Sequence, residues 1–202
     1  KNYCRCGAKT PQQSCLRKNH EMWTQIDKIR KERITPDDFV ALIEITKGSN
    51  NKYELDKETG YIILDRILYT ATHYPANYGL IPRTLCDDGD HLDVLVISSE
   101  PITSNTLVRC YPIGMISMVD QSMADEKIIA IPFKDPAYQT YKDINQMPEH
   151  LFEEMKHFFQ VYKTLEGKVT SVNKISGPEE AKDTIRRCMR EFTRVNGEQP
   201  RE

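Results

Sequence analysis

The 202-residue sequence lacks the features that mark several large classes of protein. No apolar run approaches the roughly 20 residues that a membrane-spanning helix needs. No P-loop motif is present, which argues against a nucleotide triphosphatase of that class. Basic residues number 28 against 30 acidic ones, so the charge balance does not favour a general nucleic-acid or membrane-surface binder. Six cysteines are too few for a disulfide scaffold in a chain of this length.

The organisation along the chain is typical of a single globular domain with an extension. Residues 1–18 are polar and aperiodic, which predicts a poorly ordered tail. Apolar residues recur at helical spacing over 21–33 and predict a short amphipathic helix. We therefore expect residues 1–35 to form an N-terminal extension, residues 36–196 to form one domain and residues 197–202 to form a C-terminal tail.

Short strands separated by turn residues fill most of the expected domain, and two helices close it. The predicted strands cover residues 39–45, 52–56, 61–68, 92–97, 108–118 and 127–131. Residues 75–82 contain two prolines and a glycine and are predicted to be part of a long loop. Helices are predicted over 149–165 and 178–194. Strands followed by helices predict an α+β fold, mainly β, built on a barrel or rolled sheet.

Three of the cysteines crowd into the first fifteen residues. Together with His20, the thiols of Cys4, Cys6 and Cys15 suggest a zinc site, but their spacing fits none of the common structural patterns. The simpler interpretation is a flexible tail with reduced thiols. The other three cysteines are expected to lie singly in or near strands and a helix, as small buried hydrophobic side chains.

The most informative stretch is an acidic turn that precedes an apolar strand. Four carboxylates lie within seven residues: Asp87, Asp88, Asp90 and Asp93. Like charges this close raise one another's pKa unless a cation or a base stands among them. Gly89 lets the backbone turn, so that three of the carboxylates can point at one place. Converging hard oxygen ligands suit Mg²⁺, Mn²⁺ or Ca²⁺ better than zinc.

The same turn has two other interpretations. An Asp-Gly turn before a strand is common, so composition alone favours an exposed acidic turn. An EF-hand loop is excluded, because from Asp88 the fifth and sixth positions of its template would be Leu92 and Asp93.

Further charged residues are ambiguous when each is taken alone. Asp120 and Asp125 fit an acidic surface loop, and Glu44 fits a strand residue that faces solvent. Lys52 and Glu54 alternate along a predicted strand and therefore share a face, where they fit a surface pair.

A third group has the side chains that a phosphate cradle needs. It consists of Arg66, Tyr74, Tyr78, Tyr162 and Lys163. Arginine, lysine and tyrosine side chains all donate hydrogen bonds to phosphate oxygens, and the first two also supply positive charge.

Taken together and in order, these pieces resemble the signature of family I soluble inorganic pyrophosphatases, over about residues 39 to 166. The matching pieces are Ile-Glu44-Ile, Lys52-Tyr-Glu54-Leu-Asp, Asp65-Arg66, Tyr74-Pro-Ala-Asn-Tyr78-Gly, Asp88-Gly-Asp90-x-x-Asp93-Val, Asp120-x4-Asp125-x-Lys127 and Phe-Phe-x-x-Tyr162-Lys163. The flanking residues look most like plant-type and related protist or bacterial members. One departure is His91, where the family usually has proline or an acidic residue; we expect His91 to be an outward-facing turn residue.

The resemblance implies an OB-like five-stranded β-barrel with the C-terminal helices packed against it and the site at its mouth. It implies hydrolysis of pyrophosphate to two phosphates with several Mg²⁺ ions, for which Mn²⁺ would substitute and Ca²⁺ would inhibit. The implied metal ligands are Glu44, Asp88, Asp93, Asp120 and Asp125. The implied substrate ligands are Lys52, Arg66, Lys127, Tyr162 and Lys163. Asp90 would be the base that takes the proton of the attacking water, with Tyr78 and Arg66 as further catalytic residues, and Glu54 and Tyr74 would support the site from behind.

The resemblance also sets expectations about partners. Pyrophosphate is the expected substrate, with no nucleic-acid or membrane partner, and the chain is expected to be a cytoplasmic homo-oligomer. Two other classes stay open from the residues alone. One is a non-enzymatic OB-type module that binds single-stranded nucleic acid, which the acidic mouth disfavours. The other is a structural Ca²⁺-binding or interaction protein, such as an inactive relative, which the complete set of acids and phosphate ligands disfavours.

Overall fold

A computed structural model describes residues 24–197, which contain eight strands and two α-helices. The strands are β1 (Phe39–Ile45), β2 (Asn51–Leu55), β3 (Ile62–Ile67), β4 (Asn77–Ile81), β5 (Leu92–Val96), β6 (Thr106–Asp120), β7 (Met123–Pro132) and β8 (Thr170–Ser176). The α-helices are α1 (Glu149–Val161) and α2 (Pro178–Asn196). No helix in residues 24–197 is long and apolar enough to cross a membrane.

Five strands form a closed ring. They run in the order β1-β4-β5-β7-β6, and β6 pairs back onto β1 in antiparallel register. β5 and β7 are parallel, whereas the other pairs in the ring are antiparallel. β8 adds to the free edge of β6, and β2 and β3 form a separate antiparallel hairpin. The ring confirms the expected OB-like five-stranded barrel.

Both faces of the barrel strands are covered, which explains their nearly continuous apolar sequences. Along β5, Val94 belongs to an apolar cluster that includes α2 residues, whereas its neighbour Leu95 belongs to a cluster that includes α1 residues. Successive side chains of a strand point to opposite faces, so one short strand contributes to both clusters. The two C-terminal helices therefore pack against the barrel, as predicted.

The predicted helix over 21–33 is wrong in its described part. Residues 24–33 form two short 3₁₀ helices, Ile26–Lys28 and Lys31–Arg33. The backbone between them is extended at Ile29 and Arg30, which prevents a continuous helix. Tertiary contacts override the local period here, because the buried side chain of Asp27 is bonded to the barrel.

Two strands were missed by the sequence patterns. β4 lies inside the predicted loop over 75–82, and β8 was not predicted at all. In β4, a Cβ on Gly79 would stand 1.9 Å from the carbonyl oxygen of Leu42 in β1, so glycine marks a close backbone approach rather than a loop. β8 alternates buried and exposed residues and has few large apolar side chains, which weakens its pattern.

Helix boundaries and cysteine positions also differ in part from expectation. α1 ends at Val161 and is followed by a 3₁₀ turn, Thr164–Glu166, while α2 extends slightly beyond its predicted end. Cys86 and Cys188 do not lie singly, because their Sγ atoms are 3.5 Å apart. The predicted tail over 1–18 and its cysteine group lie outside the described residues.

Replacing Gly79 with alanine is expected to destabilise the barrel strongly. The new Cβ would collide with the backbone of β1. Because β1 is hydrogen-bonded to β4 on one side and to β6 on the other, it cannot move away without straining those hydrogen bonds. We expect a loss of about 3 kcal/mol or more in the free energy of unfolding. Gly48→Asn is the control, because Gly48 has φ 85° with open space around it and asparagine tolerates that conformation. Urea denaturation measures both, and equal stability of the two variants would contradict the close approach.

Candidate active site

A charged cavity of about 520 Å³ opens at the end of the barrel. It brings together twelve of the fourteen residues singled out in the sequence: Glu44, Lys52, Glu54, Tyr78, Asp88, Asp90, Asp93, Asp120, Asp125, Lys127, Tyr162 and Lys163. They come from the barrel strands, the β2–β3 hairpin, the acidic turn and the end of α1. The fold therefore gathers side chains that are up to about 120 positions apart in the chain.

At the centre of the cavity is the buried amine of Lys127. Parallel pairing of β5 with β7 sets Asp93 beside Lys127, and Asp125 lies two residues earlier on the same face of β7. Lys127 Nζ donates to Asp93 Oδ2 at 2.7 Å, to Asp125 Oδ1 at 2.9 Å and to Tyr78 Oη at 3.0 Å. Tyr78 Oη in turn donates to Asp93 Oδ2 at 2.5 Å.

The protonation states at this centre follow from burial and charge. Burial alone would lower the pKa of Lys127, but Asp93 and Asp125 hold it above its ordinary value. Burial and the same two carboxylates raise the pKa of Tyr78 well above its ordinary value. At neutral pH the lysine is therefore charged and the tyrosine keeps its proton, so both groups act as hydrogen-bond donors.

Glu44 lies inside the barrel mouth and does not face solvent. It is 7 % exposed, and its Oε1 accepts a hydrogen bond from the Leu55 backbone N–H at 2.7 Å. Burial raises the pKa of Glu44 to about 8, against the opposing hydrogen bond from Leu55, and nearby Asp93 and Glu54 add to the rise. A buried carboxylate beside other carboxylates is unfavourable in its charged form unless a cation offsets the repulsion. The surroundings of Glu44 therefore fit a cation site.

The acidic turn projects Asp88 and Asp90 to the cavity mouth. Gly89 has φ 85°, which permits the sharp turn, and Asp88 Oδ1 accepts from the Asp90 backbone N–H at 2.9 Å. Asp90 also forms an ion pair with Lys57. Sequence reasoning missed Lys57; its position in the turn of the β2–β3 hairpin, beside residues already singled out, was the available signal.

On the opposite side of the cavity, Lys163 follows the end of α1 and bonds to Asp120. Asp120 Oδ1 is buried without a hydrogen-bond partner among the described residues. Tyr162 lies next to Lys163 and is 5 % exposed, with burial raising the pKa of its hydroxyl. An unpaired carboxylate oxygen beside these donors leaves room for a further charged group.

Arg66 does not line the cavity, although it lies near its edge. Its Nε donates to Glu166 Oε1 at 2.9 Å, and it also bonds to Asp65, which accepts from Lys52 Nζ at 3.2 Å. Arg66 Nη2 is buried and has no hydrogen-bond partner within residues 24–197. Glu166 was missed because nothing in the sequence links it to a residue 100 positions away.

Tyr74 is also outside the cavity lining and is fully buried behind it. Its ring centroid lies 5.4 Å from that of Tyr78 and 4.8 Å from that of Phe158. Tyr74 therefore connects the cavity side of the barrel to the core beneath α1.

The prediction that His91 faces outward is wrong. The side chain is 9 % exposed, and Nε2 lies 2.9 Å from Oδ1 of Asp27 in the N-terminal segment. The reason is that the segment before the barrel packs against the acidic turn and brings a buried carboxylate to the ring.

The donor set fits divalent cations. Five predicted ligands are carboxylates that face one cavity, and hard oxygen ligands suit small divalent ions. In the described part of the chain, no three acidic, histidine or cysteine side chains stand close enough to chelate an ion as they are oriented, because the lysines hold several of them. The raised pKa of Glu44 and the unpaired Asp120 oxygen nevertheless fit an added cation.

A barrel whose mouth combines carboxylates with lysine and tyrosine donors is typical of metal-dependent enzymes that act on phosphate compounds. The family model for inorganic pyrophosphatase matches residues 41–193. The chain belongs to the inorganic pyrophosphatase family, and it is a hydrolase of pyrophosphate. The family match continues through most of α2, beyond the motifs that end near residue 166.

Relatives from distant organisms support this assignment. The inorganic pyrophosphatase of Aquifex pyrophilus is 48% identical over 160 residues, which cover 78% of this chain and 90% of the relative. Soluble inorganic pyrophosphatase 1 of Arabidopsis thaliana is 47% identical over 154 residues, which cover 76% and 73%. The solved inorganic pyrophosphatase of Helicobacter pylori superposes with a TM-score of 0.76 at 40% identity and covers 78% of this chain and 95% of that one.

Replacing Lys127 with methionine is expected to destabilise the metal-free protein, because Asp93 and Asp125 would lose their shared positive charge. Both carboxylates are partly exposed, so we expect a loss of about 1–3 kcal/mol in EDTA. Divalent metal should then raise the melting temperature more in Lys127→Met than in the wild type, since the ion replaces the missing charge.

Differential scanning calorimetry in EDTA and in Mg²⁺ measures both effects. Lys57→Met is the matched control, because Lys57 pairs with a carboxylate at the exposed cavity mouth. We expect it to melt near the wild-type temperature in EDTA. Equal metal-induced stabilisation of wild type and Lys127→Met would contradict the assigned role of the lysine.

Proposed function

We propose that this enzyme hydrolyses inorganic pyrophosphate with Mg²⁺ ions bound by five carboxylates of the charged cavity. These are Glu44, Asp88, Asp93, Asp120 and Asp125. The observation that supports this most strongly is the convergence of these oxygens with lysine and tyrosine donors in one cavity. Mn²⁺ is the expected substitute, because it also takes octahedral oxygen ligands. Ca²⁺ is the expected inhibitor, because it takes the same oxygen ligands at longer distances and in a less regular geometry.

The metals would neutralise the charge of the substrate and lower the pKa of the attacking water. Asp90 would accept the proton of that water. Its carboxylate is at the cavity mouth on the same turn as Asp88, and it is 68 % exposed, so that water reaches it directly. Lys57, which pairs with Asp90, would keep the carboxylate oriented toward the cavity.

The phosphate groups would be held by donors on two sides of the cavity. Lys52 belongs to the β2–β3 hairpin, and Tyr162 and Lys163 follow α1. Arg66 would direct its unpaired Nη2 toward a phosphate oxygen, an arrangement supported by the absence of a partner for that atom in residues 24–197. Lys127 would stabilise the negative charge that develops on the leaving phosphate.

The remaining predicted residues would orient these groups. Tyr78 donates to Asp93 and would fix the orientation of this metal-binding carboxylate. Glu54 bonds to Lys52 and would keep its amine on the cavity side. Tyr74 would hold the Tyr78 ring from behind.

The chain is further proposed to act as a homo-oligomer in the cytoplasm, as the family resemblance implies. Several large apolar side chains on and beside β3 are exposed and support an interaction surface there: Tyr61, Leu64, Ile67 and Tyr69. Apolar side chains concentrated in one hairpin are typical of interaction surfaces.

A phosphate-release assay tests the proposed function. With pyrophosphate and Mg²⁺ we expect two phosphates per substrate, and EDTA should abolish the release. Asp93→Ala should need far more Mg²⁺, because Asp93 is at the centre of the carboxylate set. No release with Mg²⁺, or full activity of Asp93→Ala at low Mg²⁺, would refute the proposal.

Replacing Asp90 with asparagine is expected to lower kcat by about 10²- to 10⁴-fold while leaving metal binding nearly unchanged. The amide keeps the size of the side chain but cannot take a proton at neutral pH. Steady-state kinetics measures the loss, and calorimetric titration with Mn²⁺ checks the metal sites. A near wild-type kcat would mean that Asp90 is not the base.

A further inference from the structure

The segment that precedes the barrel reaches the active site through one buried carboxylate. Asp27, in the first 3₁₀ helix, is 1 % exposed although it lies some 60 residues before the acidic turn. An acidic side chain is almost never buried this fully unless it is paired. Its partners therefore explain why it is there.

The partners of Asp27 come from three places in the chain. Asp27 Oδ1 accepts from the Arg83 backbone N–H at 3.0 Å and lies 2.9 Å from His91 Nε2. Asp27 Oδ2 accepts from Thr24 Oγ1 at 2.7 Å. The backbone carbonyl of Asp27 also accepts from Arg83 Nη1 at 3.1 Å. We call Thr24, Asp27, Arg83 and His91 the Asp27 network.

The carboxylate of this network is ionised. Burial alone would raise the pKa of Asp27, but the hydrogen bond from His91, with the bonds from Arg83 and Thr24, brings it below its ordinary value. A carboxylate can only accept hydrogen bonds, so His91 Nε2 is the donor. The ring is thereby fixed in one orientation.

His91 connects the part of the acidic turn that carries Asp88 and Asp90 to β5, which carries Asp93. It lies between Asp90 and the first residue of β5, and its ring borders both the main cavity and a neighbouring cavity of about 200 Å³. On the strand side the backbone is already fixed, because the Leu92 N–H donates to Thr84 Oγ1 at 2.8 Å. On the other side, the turn is held by its own hydrogen bonds, from the Cys86 N–H to the Asp90 carbonyl at 2.8 Å and from the Asp90 N–H to Asp88 Oδ1 at 2.9 Å. The Asp88 and Asp90 side chains themselves are exposed, and Lys57 pairs with Asp90. The His91–Asp27 bond therefore ties this turn to the buried N-terminal segment.

We propose that His91 is a positioning residue and that Asp27 holds it, so that the N-terminal segment fixes the turn that presents Asp88 and Asp90 to the metals. The proposal rests on the metal-binding role assigned to these carboxylates above. Partners that orient ligands from outside commonly change metal affinity by about 10- to 100-fold when they are removed. Loss of either end of the His91–Asp27 bond should therefore weaken metal binding without touching a ligand.

The test measures Mn²⁺ affinity by calorimetric titration of the full chain without pyrophosphate, so that no turnover is involved. His91→Ala and Asp27→Ala should each raise the Kd for Mn²⁺ by about tenfold. The double variant should have a Kd for Mn²⁺ no higher than that of the single variant with the higher Kd, because both changes remove the same bond. Additive losses in the double variant would overturn the proposal.

Two further variants separate positioning from general stability. Thr24→Val removes the hydrogen bond to Asp27 Oδ2 but leaves Oδ1, which faces His91, in place, so it should lower the melting temperature in EDTA and leave the Kd unchanged. His91→Gln keeps an N–H donor at the reach of Nε2 and should recover most of the affinity. If His91→Ala fails to fold, His91→Leu, which fills the space without a donor, takes its place as the loss variant and is compared with His91→Gln.

The outcomes distinguish this inference from the proposed function. Wild-type protein should bind Mn²⁺, and Asp93→Ala should lose that binding; if wild type shows no such binding, the metal assignment itself fails. If wild type binds and Asp93→Ala does not, but His91→Ala and Asp27→Ala keep wild-type affinity, only the positioning role is overturned. A drop in melting temperature at unchanged Kd would also overturn it, because it would mean a structural role alone.

Discussion

The structure depends on how one buried ammonium group balances the acids around it. Lys127 is 2 % exposed, and its charge is offset by Asp93 and Asp125 at hydrogen-bond distance. Without that balance, the barrel mouth would have to fold around repelling carboxylates. The parallel pairing of β5 with β7 is what sets the three groups side by side, so the topology of the ring and the chemistry of the site are fixed by the same register.

The same balance explains why the cavity suits a charged substrate and charged metals. Lysines pair with Asp93, Asp120 and Asp125, so added cations would compete with the lysine amines for these carboxylates. Amines displaced in this way would be available to bind phosphate oxygens. Glu44, with a pKa of about 8, is the carboxylate that an arriving cation would change most, since it would bring an otherwise protonated group into its charged form. Opposite charges are therefore enough to explain how the carboxylates would exchange lysines for metals and how the lysines would exchange carboxylates for phosphate.

Much of this arrangement was predictable from the sequence. The short strands and closing helices predicted a barrel or rolled sheet, and the resemblance to pyrophosphatases, carried by the ordered spacing of the motifs, implied the five-stranded barrel and the twelve residues found in the cavity. Two of the failures share one physical cause, because each depends on a contact made far away in the chain. Gly79 looked like a loop residue because its backbone neighbour is in β1, and His91 looked exposed because its partner Asp27 lies in another segment. The hydrophobic periodicity of a short segment contains no information about such distant contacts.

The central claim is that the carboxylates around Lys127 hold divalent metal ions. The most direct measurement is anomalous X-ray diffraction from crystals of the protein soaked in Mn²⁺. The account predicts anomalous peaks at coordination distance, about 2.0–2.3 Å, from carboxylate oxygens of Asp93 and Asp125. Peaks confined to other surfaces, with Lys127 still bonded to both carboxylates at saturating Mn²⁺, would contradict it.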